Sequence, residues 1–179
     1  MSVKSLTNDC LANSITSIQL KGRIGENINR DDLAKLIKDK YPSWRPECKL
    51  NILQSNIITS NGHKIGLKIS TRNKTCSLIG KPQAIDYLSD ELSSISVQIT
   101  DPKICLANSV FVCKNAFQLE MSDDVTIEDN ELVAKTVRIR EYSGAVAMIF
   151  RSGRVLCTSK GELSNHLSFR NAIHKLLDK

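Results

Sequence analysis

Cys105-Leu106-Ala107-Asn108-Ser109 is the stretch around which this chain is organised, because the same five residues stand at Cys10-Leu11-Ala12-Asn13-Ser14. The two copies lie roughly half a chain apart. Each is followed by an apolar run with β-branched residues: Ile15, Ile18 and Leu20 after the first, Val110, Phe111 and Val112 after the second. A five-residue identity at that spacing marks a duplicated unit. A duplication constrains architecture, since each copy must repeat one order of elements.

Working outward from the first copy, the apolar run predicts a strand over 13–20. A helix follows. Asn29 caps it, Asp31 and Asp32 suit its positive end, and Leu33, Leu36 and Ile37 form one apolar stripe. Tyr41-Pro42 stops it, and 43–49 reads as a connection. Strands are expected at 50–58, 64–70 and 74–79, with turns at Asn61-Gly62 and Arg72-Asn73. Pro82 opens a second helix with Ile85, Leu88, Leu92 and Ile95 on one side. From the second copy the order repeats. A strand is expected over 104–113, and 116–124 leaves no room for a full helix. Strands follow near 125–128, 133–140, 145–151 and 154–158, and a helix spans 161–177. Its apolar residues are Leu163, Leu167, Phe169, Ile173, Leu176 and Leu177, while His166 and His174 read as surface or partly buried helix. Two strand-rich halves, 1–99 and 100–179, each closing in an amphipathic helix, suggest an α+β fold. One antiparallel sheet would carry helices on one face and leave the other for water or a ligand.

Composition sets the class. Of the 179 residues, 25% are charged and 41% hydrophobic, as in soluble globular proteins. The net charge of +6 makes a polyanion a plausible partner. The first half holds most of that excess. The six cysteines form no Cys-x-x-Cys pair and lie far from the histidines, so no zinc site is expected and the thiols read as reduced and mostly buried. The opening Met-Ser-Val-Lys-Ser has no apolar core of a signal peptide, and no run nears the roughly 18 apolar residues of a membrane span. An intracellular protein is expected, nuclear in a eukaryote and cytoplasmic otherwise. No cofactor is expected. Catalysis is not expected either: no metal-binding carboxylate cluster, Ser/His/Asp arrangement or Gly-rich phosphate loop stands out.

The segment Ala147-Met148-Ile149-Phe150-Arg151-Ser152-Gly153-Arg154-Val155-Leu156-Cys157-Thr158 resembles a hairpin of the TATA-box-binding protein family. Asn13-Ser14-Ile15-Thr16-Ser17-Ile18-Gln19-Leu20 is similar to that family's first strand, and Arg138-Ile139-Arg140-Glu141 to the segment before its hairpin. The first-half counterpart, 67–81, is a much weaker match. The resemblance spans the whole chain. It implies a pseudo-twofold saddle of two repeats, one curved antiparallel sheet with helices on the convex face. It also implies minor-groove binding of A·T-rich DNA on the concave face, with apolar side chains wedged between base steps. Asn13 and Asn108 would supply paired amides, Ile15, Val110 and Val112 apolar contact, Thr158 a hydrogen bond and Leu156 packing beside it. Arg138, Arg140, Arg151 and Arg154 would meet phosphates.

Against that pattern the wedges are reduced. Of two Phe pairs only Phe150 stands here. Its partner position falls on Leu132 or Val133, the first-half equivalents on Ile52 and Ile69, and Leu78 replaces a Thr. Six acids, Glu120, Asp123, Asp124, Glu128, Asp129 and Glu131, lie together without a Lys or Arg among them. Asp129, Glu131 and Leu132 fall where the resemblance places contact with transcription factor IIB. The function implied is that of a general transcription initiation factor that binds promoter DNA and recruits a transcription factor IIB-like partner and RNA polymerase machinery. The alternative is an interaction adaptor that keeps the fold with weak or no DNA binding of its own. With Leu and Ile offering less stacking area than Phe, circular-permutation gel shifts on an A·T-rich fragment should report a smaller bend than the family's. A bend of the family's size would refute the reading.

Overall fold

The computed structural model describes residues 1–25, 28–59, 61–114, 116–120, 123–130 and 134–178. The fold is α+β, and it divides into two compact units. The first comprises Met1–Ala12 and Ser17–Cys105, the second Asn13–Thr16 and Leu106–Lys179.

Unit one contains helix α1 (Val3–Ala12), strand β1 (Ile15–Arg23, shared with unit two at its start) and helix α2 (Arg30–Lys40). Strands β2 (Glu47–Lys49), β3 (Ile52–Ile58), β4 (Lys64–Ser70) and β5 (Thr75–Gly80) follow, then helix α3 (Pro82–Ser93). Its antiparallel order is β2-β3-β4-β5-β1, and Thr100 and its neighbours run alongside β1. Gly22 permits that approach. A Cβ there would lie 2.3 Å from Ile99 Cγ2 and 2.9 Å from the Thr100 carbonyl. As the sequence predicts, Asn29 caps α2, its Oδ1 accepting from the backbone N–H of Asp31 (2.8 Å) and Asp32 (3.3 Å). Helix α2 lies on β3, and α3 lies on β4 and β5.

Two elements of unit one differ from expectation. The chain before Asn13 is a helix. Val3, Leu6, Thr7 and Cys10 recur at i, i+3, i+4 and i+7 and are buried, and α1 packs on α3. Residues 47–49, read as connection, form the edge strand β2. The first copy of the pentapeptide therefore has helical Cys10-Leu11-Ala12, with Asn13 and Ser14 in the turn that follows. Ser14 adopts φ +55°. The second copy is fully extended.

Unit two contains strand β6 (Thr100–Val112, whose first residues belong to unit one), β7 (Val125–Asn130), β8 (Ala134–Ile139), β9 (Ala145–Phe150), β10 (Arg154–Lys160) and helix α4 (Leu163–Leu177). Its order, β6-β10-β9-β8-β7, repeats that of unit one strand for strand. Where unit one has α2, the described residues of unit two form a 3-10 turn over Ala116–Gln118. Helix α4 covers β9 and β10, with Phe169 and Ile173 packed on Val137, Ala147, Ile149 and Val155. Gly153 closes the β9–β10 hairpin at φ +81°, and a Cβ there would meet the Cys113 carbonyl at 2.7 Å.

His166 is not a surface residue of α4 but wholly buried. Its Nδ1 is 2.7 Å from Ser159 Oγ on β10, and its Nε2 is 3.0 Å from Ser109 Oγ on β6. Burial, reinforced by the charge of Arg170, lowers its pKa from 6.5 to about 4. The unfolded chain therefore binds a proton that the folded chain refuses between those values. The stability contributed by neutral His166 is complete above pH 6.5 and is lost as pH falls toward 4. Lowering pH from 7 to 5 should cost about 2 kcal/mol from this group alone, measured by urea unfolding. His166→Gln should flatten the profile across that window; an unchanged slope would exclude the imidazole as its source.

Candidate nucleic-acid interface

Strand alternation sorts every side chain onto the helix-covered face or the open face of its unit. In unit two, Ala107, Ser109 and Phe111 of β6 turn toward α4, where Phe111 stacks on His174 with ring centroids 3.8 Å apart. Asn108, Val110 and Val112 turn the other way. The ladder aligns them with β10 as Asn108↔Thr158, Val110↔Leu156 and Val112↔Arg154. Thr158 and Leu156 in turn face Val146 and Met148 of β9, and Phe150 at the end of β9 faces Ala134 of β8. The open face of unit two is thus a continuous apolar strip, Val146, Met148, Val110, Leu156 and Val112. Asn108 and Thr158 lie on one side of it, Phe150 and Arg154 on the other. Val112 is 72% exposed.

Five of the sequence-predicted DNA contacts in unit two, Asn108, Val110, Val112, Leu156 and Thr158, therefore share one surface with Phe150 and Arg154. Arg138 is also on the open face, 3.9 Å from Glu128. Arg140 is exposed in the β8–β9 connection, its backbone N–H bonded to the Asp124 carbonyl. Arg151 is placed differently, in the hairpin turn over the ring of Phe117, 5.6 Å from its centroid. Asn13 is half-buried, and its carbonyl accepts from Arg170 Nη1 at 2.5 Å. Ile15 is only 4% exposed and belongs to the core. Asp129 lies in β7 opposite Lys135, while Glu131, Leu132 and Val133 lie outside the described residues.

Unit one corrects the reading further. Ile69 and Leu78 have no exposed surface and face the helices. Ile52 remains on the open face, partly exposed, paired with Ser70. The residues beside the two buried ones occupy the surface. On β4 these are Gly66, Lys68 and Ser70, on β5 Thr75, Ser77 and Ile79, and on β1 Gln19, Lys21 and Arg23. Gln19 donates from Nε2 to Ser77 Oγ at 3.1 Å. A shallow hollow of about 520 Å³ opens above Gly66, rimmed by Gln19, Gln54, Asn56, Lys68 and Ser77. The slip is one residue in the same direction on both strands: the open-face neighbours are Ser70 and Ile79, not Ile69 and Leu78. A shift of one residue moves every side chain of a strand to the opposite face. The alternation in Lys64-Ile65-Gly66-Leu67-Lys68-Ile69-Ser70 was the signal that locates these residues.

All six cysteines are free thiols. Burial pushes Cys76 and Cys157 up to about 12, and burial with Asp9 nearby pushes Cys10 up to about 11. Cys48 is exposed, while Cys105 and Cys113 are half-buried. Among the described residues no group of three His, Cys, Asp or Glu could hold a metal ion, and no helix is long and apolar enough to cross a membrane.

A five-stranded antiparallel order built twice, with helices against one face and an open ladder-aligned surface on the other, defines the α+β fold. Among solved structures this chain is similar to Methanococcus jannaschii TBP, with a TM-score of 0.66 and 19% identity over 92% of this chain and 95% of that one. The chain thus has the TATA-box-binding protein fold. No family model and no curated protein matches the sequence.

Proposed function

We propose that this chain binds A·T-rich double-stranded DNA through the minor groove and acts in transcription initiation by bringing a transcription factor IIB-like protein, and with it the polymerase machinery, to promoters. The observation that carries the reading is the open face of unit two. At A·T pairs the minor groove offers only acceptors, so a matching surface needs few donors and much apolar area. Asn108 and Thr158 beside the strip of Val110, Val112, Leu156, Met148 and Val146 have that composition. Phe150 stands at a strand end opposite the small Ala134, where a ring can enter a base step. Arg154 and Lys160 are exposed at opposite ends of β10, where phosphates would pass. The likeness of the fold to Methanococcus jannaschii TBP agrees with this reading.

A second reading, an interaction adaptor with weak or no DNA binding, gains support from unit one, whose strands β1–β5 contain no aromatic residue. Salt separates the two. Fluorescence anisotropy with an A·T-rich duplex should show affinity falling on the order of 100-fold from 50 to 200 mM salt for about four phosphate contacts. Binding that is absent, or indifferent to salt, would favour the adaptor. The acidic lobe is assigned to the protein partner because like charge repels phosphate. Asp129→Lys with Glu131→Lys should abolish the ternary complex with a transcription factor IIB-like protein and leave duplex affinity intact. Parallel loss of both would remove that assignment.

A further inference from the structure

Because the two units share one strand order, their open faces can be compared position by position. The count starts from the first residue of the last strand, Thr75 in β5 and Arg154 in β10. Thr75 pairs with Arg23 where Arg154 pairs with Val112. Along the same ladders Lys21 matches Val110, Gln19 matches Asn108, and Ser77 matches Leu156. One strand further, Lys68 matches Met148 and Gly66 matches Val146. Every aliphatic residue of the unit-two strip is thus replaced in unit one by a polar, cationic or missing side chain. The aliphatic groups that unit one presents stand elsewhere: Ile79 at the place of Thr158, and Ile52 and Ile58 on β3.

We propose that the chain reads its DNA element one-sidedly: the face of unit two requires A·T pairs, and the face of unit one accepts G·C pairs. This rests on the DNA-binding reading above and goes beyond it in assigning specificity. In the minor groove a G·C pair differs from A·T by the guanine N2 amino group, a donor standing on the groove floor. Pressed against Val110, Leu156 and Met148, that group loses water against side chains that offer no acceptor, a desolvation cost. Against unit one it meets acceptors. Gln19 and Ser77 are hydrogen-bonded to each other, and in either orientation of the amide the pair retains an oxygen lone pair. Gln54 and Asn56 add amide oxygens on the adjoining strand, and the hollow above Gly66 leaves room for the extra group. Lys68 and Lys21, both exposed, supply the donors that the remaining acceptors of the base pair need. Gln19, Ser77 and Lys68 are therefore specificity-determining residues, and the preferred element is asymmetric.

The test uses the whole chain and four duplexes: A·T throughout, G·C pairs in one half, G·C pairs in both halves, and inosine·C pairs in both halves. The all-A·T duplex reads DNA binding itself; if it is not bound, the DNA reading falls and this inference with it. Given that binding, the half-substituted duplex should bind within about threefold of all-A·T, since the chain can turn to place unit one over the G·C half. The fully substituted duplex should bind at least about 100-fold more weakly, as expected for several mismatched pairs. Inosine, which lacks the amino group, should restore it. In Gln19→Leu/Ser77→Val the ratio of half-substituted to all-A·T affinity should fall at least about tenfold, the scale of one mismatched pair. In Leu156→Ser the ratio of fully substituted to all-A·T affinity should rise. A half-substituted duplex as weak as the fully substituted one overturns the proposal while leaving DNA binding standing, and so do ratios unmoved by both variants.

Discussion

The structure of unit two depends on one buried imidazole. His166 projects from α4 into the sheet and is held between two hydroxyls, Ser159 on β10 and Ser109 on β6. A polar group so deeply buried is tolerated only when satisfied, and both ring nitrogens have partners. Two adjacent strands and the helix above them are thereby fixed to one another in a defined register. The register has a consequence on the far side of the sheet. With Ser109 and Ser159 locked toward the helix, alternation sends Asn108, Val110 and Thr158 to the open face. The contact that fastens the helix also aims the surface proposed to read DNA.

That surface is built differently in the two units although the strand order is the same. Duplication conserves backbone connectivity, since the ladder and the helix cover are needed twice for the same physical reasons. The open-face side chains are under no packing constraint and can diverge freely. Unit one has gathered Lys21, Arg23, Lys64 and Lys68 there, and unit two has kept aliphatic residues. Open-face positive charge thus lies mainly in one unit and aliphatic surface in the other. The acidic residues Glu120, Asp123, Asp124 and Glu128, all exposed, add a region of opposite charge within unit two.

Much of this was legible in the residues. Strands with clean alternation, such as Lys64–Ser70 and Ala145–Phe150, lie where their periodicity places them, and Asn29 caps its helix. Asn108, Val110, Val112, Leu156 and Thr158 share the open face of unit two, as alternation along β6 and β10 requires. What went astray did so at points of local ambiguity. The Val3–Ala12 helix was overlooked because its stripe is interrupted by polar residues. His166, expected at the surface or partly buried, is wholly buried, because its two hydroxyl partners come from positions 7 and 57 away in sequence. Ile69 and Leu78, expected on the open face, lie one residue off it, and a shift of one residue reverses a strand's facing without altering its composition.

The pentapeptide shows where the division lies. By itself the sequence determined an α+β chain whose two halves repeat one order of elements, because periodicity is a local, additive signal. The same five residues nevertheless finish a helix and enter a turn in one copy, and lie extended inside a sheet in the other. Ladder counting pairs Asn108 with Gln19, not with Asn13. Only the tertiary structure decided this. A short segment takes the conformation that its non-local partners stabilise: Cys10 has α3 beside its helix, whereas Ala107 and Ser109 have β10 and α4. Which face a residue shows is a property of hydrogen-bond register between strands, and register is set by turns and buried contacts far away in the chain.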